Sequence, residues 1–397
     1  MNKLVRSMYA QASQDNSPIR VMFEEGLRLK QQYGEDAVCD FSIGNPDVPS
    51  PKQVGDGLRA LADQAGEPMM FGYSPYAGEA HVLEAMSKYL TEEQGTLVEA
   101  GDIVLCAGAG GAMCNIFNAC LEPGDQVLGV APFFGEYNVW ARAFGATYKG
   151  VLVKEDFNFD FPAIEAAITP KTRVFIYNSP HNPTGHVYSL EQIQQLIKIL
   201  RKKGDEYGRP ILLVADEPYR FLVFGDEKVP SVLDQYEHSC VVSSFAKNMS
   251  LAGERIGYLA AANNMPEKID FLCAIMAGVR AIGAACPTIG QKLLPYCLGH
   301  NTDKQVYARR RDAMADVLSR AGYEFNMPAG AFYFFPKAPG GDDFAFVKEL
   351  LKHRVLAVHG SAFGMPGYFR LTFCVNEDTI KRSFEGFKKA REVIEGK

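Results

Sequence analysis

The sequence has no excess of basic residues. It contains 41 Lys and Arg against 47 Asp and Glu, which gives a formal net charge of −6. A protein that binds nucleic acid through its phosphates needs a positively charged surface, so this balance argues against nucleic acid as a partner.

The cysteine patterns of disulfide frameworks and zinc sites are also missing. The nine cysteines are an odd number, they are scattered from Cys39 to Cys374, and none forms a C-x-x-C pair. We expect most of them to be small buried hydrophobic residues in a reducing compartment. The sequence therefore predicts a cytoplasmic protein without a metal site.

Long hydrophobic runs are absent as well. The longest apolar stretch, residues 274–289, is interrupted by Arg280, by glycines and by Pro287, and it is too short to cross a bilayer. We expect a buried or subunit-facing helix there and no contact with a membrane. Residues 1–13 are polar without an apolar run, which is not typical of a secretory signal.

What the sequence does contain is an alternation of strand and helix patterns. Ser17 and Pro18 predict the start of a first helix, and Gly34 predicts its end. From residue 102 onward, short β-branched runs alternate with helical segments, and such spacing requires crossover connections and a mostly parallel sheet. The predicted strands are residues 102–106, 126–130, 147–153, 173–178, 211–215, 240–244 and 256–262. The predicted helices between them are residues 112–121, 136–144, 161–168 and 190–203.

Beyond about residue 288 the pattern becomes α+β. Helices are predicted at residues 304–320, 344–353 and 377–395, and strands at residues 331–336, 355–359 and 369–375. The sequence therefore predicts an α/β protein with a large domain over residues 49–288. A smaller α+β domain is predicted from residues 1–48, which include an N-terminal arm, and residues 289–397.

Lys247 is the most informative residue. It lies among small and apolar residues in the segment 243–257, which also contains Arg255. A buried amine tends to lose its charge and become a nucleophile, and an arginine can bind a phosphate through two parallel hydrogen bonds. A surface lysine in an ordinary loop is the alternative.

A glycine-rich segment, residues 106–113, follows a predicted strand and opens a helix. Backbone N–H groups in such a segment can close on a phosphate. Its last position is Met113, so it is not the dinucleotide-binding fingerprint, and no Gly-Lys-Ser/Thr follows as in a P-loop. A single-phosphate loop and a tight strand–helix turn both remain open.

Polar residues also follow other predicted strands, where ligands of parallel sheets bind. Asn182 lies in a turn-forming segment, and Asp216 ends an apolar strand with Tyr219 shortly after it. A buried carboxylate is costly unless a cation pairs with it, so Asp216 is either a capping acid or the partner of a bound cation. Arg370 lies between apolar strand residues and needs an acid, either from the protein or from a substrate.

Taken in chain order, these segments resemble the fold-type I, class I/II aminotransferases that depend on pyridoxal 5′-phosphate (PLP), the aspartate aminotransferase-like superfamily. The specific pattern is Asn-Pro-Thr-Gly at 182–185, then Asp216 and Tyr219, then Ser244, Lys247 and Arg255. The resemblance covers nearly the whole chain. It implies the three-layer PLP-transferase fold, PLP as cofactor, an amino acid and a 2-oxo acid as substrates, and a homodimer.

The resemblance also implies roles for individual residues. Lys247 resembles the lysine that forms the Schiff base, Asp216 the partner of the pyridinium nitrogen, and Arg370 the clamp on the substrate α-carboxylate. The other residues that resemble cofactor or substrate contacts are Asn182 and Tyr219 at the ring hydroxyl; Gly108, Ala109, Gly110, Ser244 and Arg255 at the phosphate; Phe134 on the ring face; Gly44, with Asn182, at the substrate; and Tyr73 at the phosphate of the neighbouring subunit. Many relatives have Ser or Thr in place of Gly110.

Other functions stay open on sequence grounds. A PLP-dependent lyase or decarboxylase would use the same cofactor residues and break another bond. A PLP-sensing regulator is disfavoured, because the arm before Gly44 is short and the chain is acidic. The substrate side chain is also open, since Arg20, Arg28, Arg142 and Arg280 could each bind a carboxylate.

Overall fold

The computed structural model describes residues 4–5, 9 and 18–396. Its strands, numbered in chain order, are β1 (Cys39–Asp40), β2 (Ile103–Ala107), β3 (Gln126–Ala131), β4 (Thr147–Leu152), β5 (Thr172–Asn178), β6 (Leu212–Asp216), β7 (Ser239–Ser244), β8 (Ile256–Ala261), β9 (Tyr333–Phe334), β10 (Val355–Leu356), β11 (Val358–His359) and β12 (Phe369–Thr372). Its α-helices are Pro18–Tyr33, Lys52–Asp63, Ala80–Gln94, Gly108–Cys120, Glu136–Ala143, Phe161–Ala167, Leu190–Tyr207, Lys268–Ile282, Thr288–Cys297, Lys304–Arg320, Asp343–Lys352, Glu377–Arg382 and Phe384–Glu395.

A seven-stranded sheet forms the centre of the molecule, in the order β2-β8-β7-β6-β5-β3-β4. Only β8 runs antiparallel to its neighbours, so the predicted mostly parallel sheet is confirmed. Strands β7 and β8 are buried along their whole length, as expected when helices cover both faces of a sheet. The helix Gly108–Cys120 packs on β8 and on the helix Lys268–Ile282.

A smaller α+β unit follows. It contains a three-stranded antiparallel sheet in the order β11-β12-β9 and a parallel pair of β1 with β10. This unit has its own hydrophobic core, which includes Phe41, Phe332 and Phe373, separate from the core around the large sheet. The domain limits at residues 48/49 and 288/289 stay a prediction.

Several predicted boundaries are corrected by the structure. The predicted strand 355–359 is two short strands, β10 and β11, which belong to different sheets. The predicted helix 377–395 is divided at the buried Ser383, whose hydroxyl donates a hydrogen bond to the carbonyl of Ile380. The predicted helix 112–121 begins earlier, at Gly108, because the glycine-rich segment forms its first turn.

The described part of the N-terminal helix runs from Pro18 to Tyr33 and ends beside Gly34, as predicted, while Ser17, the predicted cap, lies outside the described residues. The apolar stretch 274–289 is not one helix. It spans the end of the helix Lys268–Ile282 and the start of the next helix, and Gly283 separates them with a positive φ of 65°. Across residues 18–396, none of the helices is both long and apolar enough to cross a membrane.

Candidate active site

The chemistry-bearing segments meet where the parallel strands end. Asn178 at the end of β5 pairs with Asp216 at the end of β6, and β7 ends beside them at Ser244. A cleft of about 1610 Å³ opens there between the large sheet and the smaller unit. Of the predicted site residues, the cleft is lined by Gly44, Ala109, Gly110, Phe134, Asn182, Asp216, Tyr219, Ser244, Lys247, Arg255 and Arg370.

The Lys247 amine lies inside this cleft. Its Nζ donates a 2.6 Å hydrogen bond to the carbonyl oxygen of Gly44 and lies 5.6 Å from the ring centre of Phe332. The pKa of Lys247 is lowered to about 8, mainly by burial and in smaller part by the positive charges of Arg370 and Arg255. The amine therefore loses its proton far more readily than an ordinary lysine, as a nucleophile must.

Asp216 is buried at the end of β6. The Tyr137 hydroxyl donates a short hydrogen bond to its Oδ2, whereas Oδ1 is buried and no group among residues 18–396 bonds to it. Burial raises the pKa of Asp216 to about 7, and the Tyr137 hydrogen bond opposes that shift. A buried carboxylate oxygen without a partner fits a cationic N–H donor supplied by a ligand.

Gly108 and Arg255 form a cradle at the N-terminus of the helix Gly108–Cys120. A Cβ at Gly108 would lie 2.6 Å from Nη2 of Arg255, and a Cβ at Gly257 would lie 2.4 Å from the carbonyl carbon of Gly108. Only glycine at both positions lets the start of this helix, strand β8 and the Arg255 side chain approach so closely. A guanidinium beside the backbone N–H groups of a helix start suits a phosphate, so the geometry favours the phosphate interpretation of this segment over a plain turn.

Arg370 is 2% exposed, and it has no acidic partner among the described side chains. Its guanidinium donates to Oδ1 of Asn182 at 3.3 Å and to the carbonyl of Ser42, while its Nε is buried without a hydrogen-bond partner. The rings of Tyr333 and Phe363 each lie 4.8 Å from it. A structural ion pair with a protein acid is thus excluded within residues 18–396, and a substrate carboxylate can supply the acid.

The remaining predicted residues do not all lie where their predicted roles require. The Tyr219 hydroxyl lies 2.9 Å from the Tyr333 hydroxyl in the cleft wall. Phe134 makes edge-on contacts with Tyr137 and Trp140, so its proposed stacking on a ring stays a prediction. Tyr73 is fully exposed and lies outside the cleft.

Sequence reasoning missed part of the site. Tyr137, Trp140 and Tyr333 line the cleft but did not stand out, since aromatic residues are ordinary core residues. The N-terminal helix also contributes Ile19 and Phe23 to the cleft. Of the arginines left open for a substrate side chain, the two that line the cleft are Arg20 and Arg142.

Three features of the site each call for a matching ligand group. Lys247 suits a carbonyl carbon, Asp216 a basic ring nitrogen, and the Gly108–Arg255 cradle a phosphate; PLP carries all three. The fold and the cleft thus define a PLP-dependent enzyme of the α/β class.

Comparison with known proteins gives the family. The chain belongs to the aminotransferase class I and II family, whose model matches residues 36–387, and it is a PLP-dependent transaminase. The predicted fold class, cofactor and reaction type are confirmed.

Individual relatives agree over most of the chain. The probable aspartate/prephenate aminotransferase of Thermus aquaticus is 32% identical over 381 residues, which covers 92% of this chain and 94% of that protein. The crystal structure of an aminotransferase from Eubacterium rectale has a TM-score of 0.94 at 36% identity and covers 99% of both chains. The aspartate aminotransferase of Thermus thermophilus with maleate has a TM-score of 0.84 at 26% identity, over 94% of this chain and 97% of that one.

Proposed function

We propose that this cleft moves an amino group between an L-amino acid and a 2-oxo acid, with Lys247 as both the attachment point of PLP and the proton carrier. The observation that supports it most is the buried polar atoms left without a protein partner in the cleft that holds Lys247. They are Oδ1 of Asp216 and Nε of Arg370. The first suits the cofactor and the second suits the substrate.

The proposed roles follow from the chemistry of each group. Bound PLP supplies an electron sink that stabilises negative charge at the substrate Cα. Asp216 holds a proton on the ring nitrogen. Arg370 would bind the α-carboxylate through two parallel hydrogen bonds and so fix the orientation of the substrate Cα. The Lys247 amine would take the proton from the substrate Cα as a general base.

The other site residues hold the cofactor in place. Asn182 and Tyr219 are proposed to hydrogen-bond its ring hydroxyl, and Phe134 to cover its ring face. The proposed phosphate contacts are Gly108, Ala109, Gly110, Ser244 and Arg255. The backbone of Gly44, which binds Lys247 at rest, is proposed to assist Arg370 and Asn182 at the substrate.

The half-reaction tests this proposal. When purified holoenzyme is mixed with an amino acid alone, the visible cofactor band should disappear as the amine form of the cofactor accumulates, and a 2-oxo acid should restore it. A panel of donors that includes aspartate and aromatic amino acids would rank the side-chain preference. Release of ammonia with pyruvate, or of CO₂, without the amine form would instead indicate a lyase or a decarboxylase.

We also propose a homodimer in which Tyr73 completes the site of the neighbouring subunit. Tyr73 is fully exposed, and its neighbours along the chain Met69, Phe71 and Tyr76 are exposed at 74%, 66% and 50%. Exposed apolar residues close together along the chain are typical of protein–protein interfaces.

We also propose a cytoplasmic location, which the free thiols of all nine cysteines support.

Subunit mixing tests the shared site. Tyr73→Phe should weaken PLP binding about 10-fold, the effect of losing one hydrogen bond to a charged group. Co-expression of Tyr73→Phe with Lys247→Ala subunits should yield heterodimers with one intact site, because both changes fall in the other site. If each Tyr73 served its own subunit, every site would carry one change, and the active site with wild-type PLP affinity would not return.

A further inference from the structure

We propose that Tyr137 is a positioning residue, which fixes the Asp216 carboxylate so that Oδ1 alone faces the cofactor nitrogen. This inference rests on the proposed role of Asp216. Tyr137 lies in the first turn of the helix Glu136–Ala143 and did not stand out in the sequence.

The contact itself distinguishes the two oxygens of Asp216. A carboxylate has two equivalent oxygens, and a flip of the group would exchange them. The Tyr137 hydroxyl donates its hydrogen bond to Oδ2 only, so the partnerless Oδ1 is the atom left to accept from a ligand. A fixed acceptor is worth more than a mobile one, because the geometry is set before the cofactor binds.

The ring of Tyr137 is held firmly enough for this task. Tyr137 is 3% exposed, and its ring centre lies 5.8 Å from those of Phe134 and Tyr148 and 6.1 Å from that of Trp140. Its backbone N–H also bonds to the carbonyl of Phe134 at 3.1 Å. Packing against these three rings stabilises the direction in which the hydroxyl points.

The charges around Asp216 give the hydrogen bond a second effect. Burial raises the pKa of Asp216, the negative charge of the neighbouring Glu217 raises it further, and the Tyr137 hydrogen bond lowers it. Glu217 points elsewhere, since its carboxylate is bonded to Gln94 and Arg220. Burial also raises the pKa of the Tyr137 phenol well above its usual range, so the hydroxyl remains a donor. Tyr137 therefore favours the ionised Asp216 that a pyridinium nitrogen requires.

Tyr137→Phe tests the inference, because it removes one hydroxyl and keeps the ring. With Asp216 less able to hold the ring proton, the ring nitrogen carries less positive charge and repels a proton on the neighbouring imine less. The pH midpoint of the visible band of the holoenzyme should therefore rise by about one unit. PLP should dissociate roughly 10-fold faster and kcat should fall roughly 10- to 100-fold. The KM for the amino acid should stay within about twofold, because Arg370 is untouched.

Tyr148→Phe is the matched control. It removes a hydroxyl from the same aromatic cluster without touching Asp216, and its pH midpoint should equal that of the wild type. A wild-type midpoint in Tyr137→Phe, or equal shifts in both variants, would overturn the inference.

A second test starts from the holoenzyme of Asp216→Asn, which keeps the shape of the side chain and removes its negative charge. Adding Tyr137→Phe to Asp216→Asn should cause no further shift, and additive shifts would contradict the pairing. Absence of a visible band in the wild type would instead refute the proposed function itself.

Discussion

Lys247→Ala should abolish transamination, with a loss of at least about 10⁴-fold in kcat, the upper range for removing a positioned general base. The loss should reach this range because one amine is proposed both to anchor the cofactor and to carry the Cα proton. The visible band of the covalently held cofactor should vanish, although PLP can still bind through its phosphate. Steady-state kinetics and an absorbance spectrum of the purified variant check both outcomes.

A matched control is available for Lys247→Ala. Lys202 is an exposed lysine that pairs with Glu165 and does not line the cleft. Lys202→Ala should keep the activity and the band of the wild type. A Lys247→Ala protein that is active and retains the band would remove Lys247 from both proposed roles.

Arg370→Ala should lower kcat/KM for amino acids by roughly 10³-fold, because a buried charge pair with the substrate carboxylate is lost. PLP should stay bound with its visible band intact, since Arg370 is not among the proposed cofactor contacts. The protein should also stay folded, because no described acid loses its partner when the guanidinium is removed. Kinetics on the PLP-loaded variant, with a thermal melt, would measure both effects.

Arg370→Lys refines the test. A lysine keeps the positive charge but cannot form two parallel hydrogen bonds, so its kcat/KM should lie between those of the wild type and of Arg370→Ala. If Arg370→Ala bound amino acids as tightly as the wild type, the clamp assignment would be wrong.

The sequence was enough to predict the residues whose chemistry conflicts with their surroundings. A lysine, an aspartate and an arginine in apolar segments each need a partner, and Lys247, Asp216 and Arg370 do lie in one cleft. The parallel sheet was also predictable, because strands that alternate with helices along the chain can be connected in only a few ways.

The rest depended on tertiary contacts that no local pattern indicates. Tyr137 is a tyrosine among other aromatic residues, and only the fold places its hydroxyl on Asp216. The division of residues 355–359 between two sheets depends on different partners, β1 for one strand and β12 for the other. The break at Ser383 likewise arises where a buried hydroxyl bonds back to the preceding helical turn.

The most direct test of the account is reduction of the purified holoprotein with borohydride, followed by peptide mapping. Borohydride converts an imine between a lysine and PLP into a stable secondary amine, which marks the lysine permanently. We predict a single phosphopyridoxyl group on the peptide that contains Lys247. A label on another lysine, or an unlabelled Lys247 peptide from protein that held PLP, would contradict the account.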